Sequence, residues 1–363
     1  MSLSIAIVGL PNVGKSTIFN ALTNSRVDAA NYPFCTIEPN VGCVKVPDHR
    51  IDALANKTKS EKSIFATVDF VDIAGLVRGA SKGEGLGNKF LANIRETDAI
   101  CHILRLFKSS DVTHVENRVN PKDDLEIIRT ELILADLEQV TKKFNELERA
   151  IKNPSAEKED KELFEVLSKI KPVLEAGQMA NVVELDEDEK FTMKSLPILT
   201  TKPELFVLNV DQDQVMNKKE DLIKEAGLDM NPDSVVILCA SLESELSTMN
   251  EVDAKEYLET LGIDEKGLNR LIKAGYKILN YITYFTSGEK ETRAWTIIKG
   301  DKAPVAAGKI HSDFEKGFIR AEVVNWEDVV NYGWAGSREK GLLKTEGKEY
   351  EVRDGDVMVI FHS

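Results

Sequence analysis

Short apolar runs of strand length recur along the chain at residues 3–8, 41–46, 67–73, 99–107, 204–209 and 235–240, with helical stretches between most of them. Strands that alternate with helices predict a mainly parallel sheet covered by helices. The period changes between about residues 123 and 200. There Ile133, Leu137, Val140, Phe144, Leu147 and Ile151 recur at spacings of three and four, as do Leu163, Val166, Ile170 and Val173. Between the two stripes lie Asn153-Pro154-Ser155 and a charged run over 157–162, so the pattern predicts two long helices folded back as an antiparallel hairpin. Pro172 should weaken the second helix near its end. Residues 186–190 read as a solvated acidic loop and 257–281 as helical. After Ser287-Gly288 the runs at 294–298, 317–324 and 357–361 predict short strands of a small mixed α/β module. The expected organisation is a nucleotide-binding core over 1–280, interrupted by the helical insertion 123–200, and a terminal module over 281–363.

Composition narrows the class. The chain has 363 residues, enough for two or three domains, and 42% hydrophobic with 30% charged residues describes a globular protein. No apolar run reaches the length of a membrane span, and the N-terminus lacks the basic region of a signal peptide, so a cytoplasmic location without membrane contact is expected. The four cysteines, Cys35, Cys43, Cys101 and Cys239, show no metal-ligand spacing and are expected to be reduced. A net charge of −14 argues against coating nucleic acid by bulk charge, while leaving room for a local basic patch.

The chemistry begins at Gly9-Leu10-Pro11-Asn12-Val13-Gly14-Lys15-Ser16-Thr17, which matches the phosphate-binding pattern G-x-x-x-x-G-K-[ST] between a strand and a helix start. The glycines let backbone N–H groups of Asn12–Thr17 turn toward phosphates, and the helix N-terminus adds partial positive charge. Lys15 would reach the β- and γ-phosphates, and the Ser16 hydroxyl would ligate Mg²⁺. Asp72-Ile73-Ala74-Gly75 then has the form D-x-x-G, in which the carboxylate holds Mg²⁺ through water and the Gly75 N–H reaches the γ-phosphate. Thr36, between the two motifs, supplies a further hydroxyl for the metal.

Two positions depart from the usual GTPase pattern. Where N-K-x-D is expected, the chain reads Asn209-Val210-Asp211-Gln212, and Cys239-Ala240-Ser241 follows as the second base loop. A carboxylate at the fourth position accepts two hydrogens from guanine. Gln212 is a neutral amide with donor and acceptor, so the strict demand for guanine is removed, and ATP or relaxed specificity is favoured over strict GTP. After D-x-x-G stands Leu76 rather than the water-orienting glutamine, so hydrolysis should be slow, use another group, or use a partner. His114, in a loop-like stretch, is the candidate for that group. Oxidation of Cys35 beside Thr36 would disturb the metal loop only if the thiol were acidic.

The motifs over 9–17, 31–40, 72–77 and 82–88, together with His311–Arg320 and Asp354–Val357, resemble the YchF family of Obg-related P-loop NTPases over nearly the whole chain. The resemblance implies an ATPase that tolerates GTP, with Ser16 and Thr36 as Mg²⁺ ligands and a hydrophobic residue replacing the catalytic glutamine. It also implies a C-terminal TGS module of β-grasp fold and association with the ribosome, through the large subunit. The chain departs from the family at Gln212, where an acidic residue is common. Lys309, Lys316, Arg320, Arg338, Lys340 and Lys344 of the terminal module, with the helical arm, are candidates for RNA phosphates. The expected form is a monomer. The alternatives are a nucleotide-stabilised ribosome- or RNA-binding scaffold, a strict GTPase translation factor, and a metabolic kinase. For the last, no second constellation for an acceptor is found.

Overall fold

In the first strand, β1 (Ser4–Val8), Ile5, Ala6, Ile7 and Val8 are fully enclosed. The computed structural model describes residues 4–24, 40–73, 86–108, 119–153, 157–193 and 195–363. Helix α1 (Lys15–Asn24) follows β1, then β2 (Val41–Lys45), α2 (His49–Thr58), β3 (Ser63–Ile64), β4 (Thr67–Asp72), α3 (Leu86–Arg95) and β5 (Ala99–Arg105). After the helical insertion come β6 (Glu204–Asn209) and β7 (Val235–Leu238). The first sheet has the order β2-β4-β1-β5-β6-β7. All its pairs are parallel except β2 with β4. The six apolar runs are therefore the six strands of one sheet. The C-terminal ends of the five parallel strands share an edge, which is where open α/β sheets carry ligands.

The insertion is a hairpin of α4 (Pro121–Ala150) and α5 (Lys158–Glu175). Asn120 caps α4 by accepting the Asp123 N–H, Pro121 fills the first position, and Asp123 and Asp124 face the positive helix end. The apolar stripe is the packing seam of the two helices: Val140 and Leu147 bury with Leu163, Val166 and Ile170, and Phe144 stacks on Phe164 at 4.7 Å. Helix α5 continues to Glu175, one turn past Pro172. Residues 186–190 are less loop-like than expected, because α6 (Glu187–Met193) forms there with acidic residues in its first turn. Asp136 of α4 is buried and accepts hydrogen bonds from Leu199 N, Thr200 N and Thr200 Oγ1, which fastens the returning chain to the arm's root.

Helix α7 (Lys219–Glu225) lies between β6 and β7, and α8 (Ala240–Leu246) follows β7. The single helical stretch expected over 257–281 is instead α9 (Glu251–Thr260), α10 (Gly267–Ile278) and the start of β8 (Tyr281–Ser287). The break falls at Gly262, whose φ of +71° is left-handed and ends α9.

The second sheet, in the order β11-β10-β12-β8-β9-β3, comprises β9 (Thr292–Ile298), β10 (Phe318–Asn325), β11 (Lys344–Glu346) and β12 (Asp356–His362), with β8 and β3. Its helices are α11 (Ala303–Ile310), α12 (Ser312–Lys316) and α13 (Trp326–Glu339), the last interrupted at Gly333. β3 comes from the first half of the chain and pairs with β9, so a segment between α2 and β4 is built into the second sheet by backbone hydrogen bonds. Cys101 and Cys239 are buried thiols, whereas Cys43 is disulfide-bonded, against the expectation of four reduced cysteines.

Candidate functional site at the sheet edge

The loop Gly9–Gly14 leaves β1 and turns into α1. Gly9 has no room for a side chain, since a Cβ would lie 2.9 Å from the Ile103 carbonyl. Gly14 is doubly constrained: its φ is +94° and a Cβ would lie 2.2 Å from Asn209 Nδ2. The first helical bond, Ile18 N–H to the Gly14 carbonyl at 3.0 Å, leaves the amides of the preceding turn without helical partners. Ser16 and Thr17 are exposed on this turn, while Val13 is fully buried beneath it. The result is a concave set of N–H donors at a helix N-terminus, the arrangement that binds phosphate.

Lys15 meets Asp72 in an ion pair at this point. The pairing follows from the sheet. β4 lies beside β1 with Asp72 in register with Ile7, so Asp72 ends its strand next to the residue where the phosphate loop begins. Ser16 and Asp72 together offer a hydroxyl and a carboxylate, both hard oxygen donors. That set suits Mg²⁺, which keeps several waters and takes other ligands from a nucleotide rather than from a protein cage.

The segments expected to read a base lie at the ends of β6 and β7. The Asn209 side chain is 2% exposed and bridges two loops. Its Nδ2 donates to the Val13 carbonyl at 2.9 Å, and its Oδ1 accepts the Ala240 N–H at 2.9 Å. Val210 is buried in the core, so only its backbone can face a ligand. Asp211 is occupied by the fold: it accepts the Lys108 N–H at 2.9 Å and forms a capping box with Gln214. Gln212 is exposed beside it, and Ser241 is exposed at the start of α8 with Oγ 3.2 Å from Cys239 Sγ. Thr36, Gly75, Leu76, His114 and Cys35 lie outside the described residues.

The chain was compared with known proteins. A family model described as 50S ribosome-binding GTPase matches residues 4–171, and the C-terminal YchF-GTPase model, described as a protein of unknown function, matches 281–362. The chain is 51% identical to the ribosome-binding ATPase YchF of Pasteurella multocida, over 99% of this chain and 98% of that one. It is 49% identical to that of Bacillus subtilis over the same shares. The chain belongs to the YchF family. The solved Schizosaccharomyces pombe YchF GTPase superposes with a TM-score of 0.87 at 38% identity, covering 99% of this chain and 98% of that one.

In this YchF-family chain the Gly9–Thr17 motif and the Asn209–Gln212 segment, which the sequence singled out, lie together at one sheet edge. Two residues of this edge carried no sequence signal. Arg105, read only as the end of an apolar run, is 2% exposed and donates from Nη1 to the Asn12 carbonyl at 3.4 Å. Glu243 of α8 accepts the N–H groups of Gly267 and Leu268 at 2.6 and 3.2 Å, tying the second base loop to α10. Burial raises its pKa and these hydrogen bonds oppose the rise. A charged residue in an apolar run finds its partner only in three dimensions, so neither could be placed from the sequence.

Proposed function

We propose that this YchF-family chain is a Mg²⁺-dependent ATP hydrolase that acts as a nucleotide-controlled switch on the ribosome. The observation that carries the reading is the meeting of Lys15 and Asp72 beside Ser16, at a phosphate loop that Asn209 joins to the base loop. The names of the Pasteurella multocida and Bacillus subtilis relatives, ribosome-binding ATPases, support both the nucleotide and the partner.

Ser16, Thr36 and, through water, Asp72 would hold Mg²⁺, which would neutralise phosphate charge when bound. Amides of Asn12–Thr17 and the Gly75 N–H grip the phosphates. Lys15 exchanges Asp72 for the β- and γ-oxygens and stabilises the charge that grows there as the γ-phosphoryl leaves. Leu76 offers no polar atom to the attacking water, so His114 is assigned to orient it, and turnover is slow. Asn209 holds the base loop in place while Gln212 and Ser241 face the base, with ATP preferred and GTP tolerated.

We assign the C-terminal module, 281–363, to the TGS class of β-grasp domains. Support comes from its parallel β8 and β12, flanked by antiparallel β9 and β10, with α11 packed on the sheet. Lys309, Lys316, Arg320, Arg338, Lys340 and Lys344 are all exposed on it. Arg320 lies over Phe361 and Lys340 over Tyr332, pairings that suit ribosomal RNA on the large subunit. Arg338 is the least available of the six, because it pairs with Glu322 at 2.9 Å. The protein works as a cytoplasmic monomer in this reading.

Calorimetry of ATP and GTP with Mg²⁺ tests the nucleotide. ATP should bind more tightly, and a clear preference for GTP overturns the assignment. Co-sedimentation with ribosomes in ATP, ADP and no nucleotide tests the switch. Binding that ignores the nucleotide, and survives Lys15→Ala, would instead favour the scaffold. Single-turnover hydrolysis by His114→Ala should fall at least tenfold; an unchanged rate removes His114 from the mechanism.

A further inference from the structure

Arg105 and Asn209 are register partners at the C-terminal ends of β5 and β6. Both are 2% exposed, and both donate to the phosphate loop from its buried side. Arg105 Nη1 reaches the Asn12 carbonyl at 3.4 Å, and Asn209 Nδ2 reaches the next carbonyl, that of Val13, at 2.9 Å. In a trans peptide the C=O and the following N–H point in opposite directions, and the described chain contains no cis peptide. Drawing the Asn12 carbonyl inward therefore turns the Val13 N–H outward, and drawing the Val13 carbonyl inward does the same for the Gly14 N–H. Two successive amides aimed to one side make an anion-binding nest, and the left-handed φ values of Asn12 (+64°) and Gly14 (+94°) show the tight turn in which such nests form. The Arg105 guanidinium is itself held by its Nε bond to the Phe107 carbonyl at 3.3 Å and by the Phe107 ring, 4.3 Å away.

Burial disfavours the charged form of this guanidinium, and Asp124 and Asp211 oppose that effect. Asp211 belongs to the base-reading segment. Asp124 is 3% exposed in the first turn of α4, at the root of the arm.

We propose that Arg105 is a positioning residue for the phosphate cradle, which holds the Asn12–Val13 peptide with its N–H toward the β-phosphate. It acts through the backbone and touches no reacting atom.

The proposal rests on the nucleotide reading above. The test compares ADP with AMP, which lacks the β-phosphate, by displacement of a fluorescent ADP analogue from the full chain. The quantity read is the ratio of their dissociation constants. Arg105→Gln should lower the AMP-to-ADP ratio about tenfold, the order expected for one hydrogen bond from a charged group. A general loosening of the fold weakens both ligands alike and leaves the ratio where it was, which would overturn the proposal. Arg105→Lys keeps the charge but not the fork, should lower the ratio about threefold, and is read in its place if Arg105→Gln does not fold. Wild-type chain that binds neither ADP nor ATP would refute the nucleotide reading itself, whereas normal wild-type binding with unchanged variant ratios refutes only the role of Arg105.

Discussion

Arg50 Nη1 lies 2.6 Å from Asp354 Oδ2, joining the first turn of α2 to the turn before β12 across 304 residues. Arg50 is also held by Asp48 at 2.7 Å and lies over the Phe285 ring, while Asp354 Oδ1 accepts the Thr283 N–H at 2.9 Å. These contacts and the β3–β9 pairing make the terminal sheet part of one body with the nucleotide core. Asp354 is half-exposed, so the pair is worth less than a fully buried one. All three tryptophans, Trp295, Trp326 and Trp334, belong to the terminal module. Arg50→Ala should therefore destabilise the tryptophan-monitored unfolding transition in urea by about 1–2 kcal/mol. An unchanged midpoint would show that the backbone pairing alone holds the sheets together.

Asn209 binds both the Val13 carbonyl and the Ala240 N–H, so its removal unties two loops at once. Asn209→Ala should weaken ATP binding at least tenfold in calorimetry and cost about 1–3 kcal/mol of stability, because both backbone groups lose a buried partner. Gly14→Ala approaches the same amide from the other side and should weaken ATP binding comparably. If either variant binds ATP as the wild type does, the loop does not depend on this bridge.

Glu204 is buried at the start of β6, with His102 Nε2 2.9 Å from Oε1 and Arg129 Nη2 2.7 Å from Oε2. Burial alone would raise its pKa, but His102 and Arg129 outweigh it and hold the carboxyl at about 2. A depressed folded-state pKa contributes stability that is complete above the unfolded value near 4.5 and is lost as pH falls toward about 2. Urea unfolding from pH 5 down to pH 2.5 should thus show a loss about 2 kcal/mol larger in the wild type than in Glu204→Gln, using about 1.4 kcal/mol per unit. Parallel pH profiles would mean that this cluster does not drive the acid limb.

Gly275 of α10 packs where a Cβ would lie 2.5 Å from Ile5 Cδ1 in the fully buried first strand. Alanine would gain up to about 1 kcal/mol in helix propensity but overpack the contact by about 1–3 kcal/mol. Gly275→Ala should therefore lower stability by about 1 kcal/mol or more. Ile5→Val deletes the clashing methyl, so the double variant should be less destabilised than the sum of the two single ones. Strict additivity would place the clash elsewhere.

The sequence by itself determined the strands of the first sheet, the seam of the arm and the address of the phosphate site, because each is a local pattern. Apolar runs mark buried strands, spacings of three and four mark a helix face, and Gly9–Thr17 carries its strand–loop–helix context within a few residues. The reading of 257–281 as helical failed where one left-handed glycine, Gly262, interrupts a continuing apolar pattern. Tertiary structure alone decided which distant groups meet. It placed Asp72 against Lys15 through the β1–β4 register, put Arg105 and Asn209 side by side under the phosphate loop, and recruited β3 into the terminal sheet. Those meetings depend on strand order and on partners tens to hundreds of residues away. A side chain such as Arg105 reads as an oddity in an apolar run until the fold supplies the carbonyl it holds.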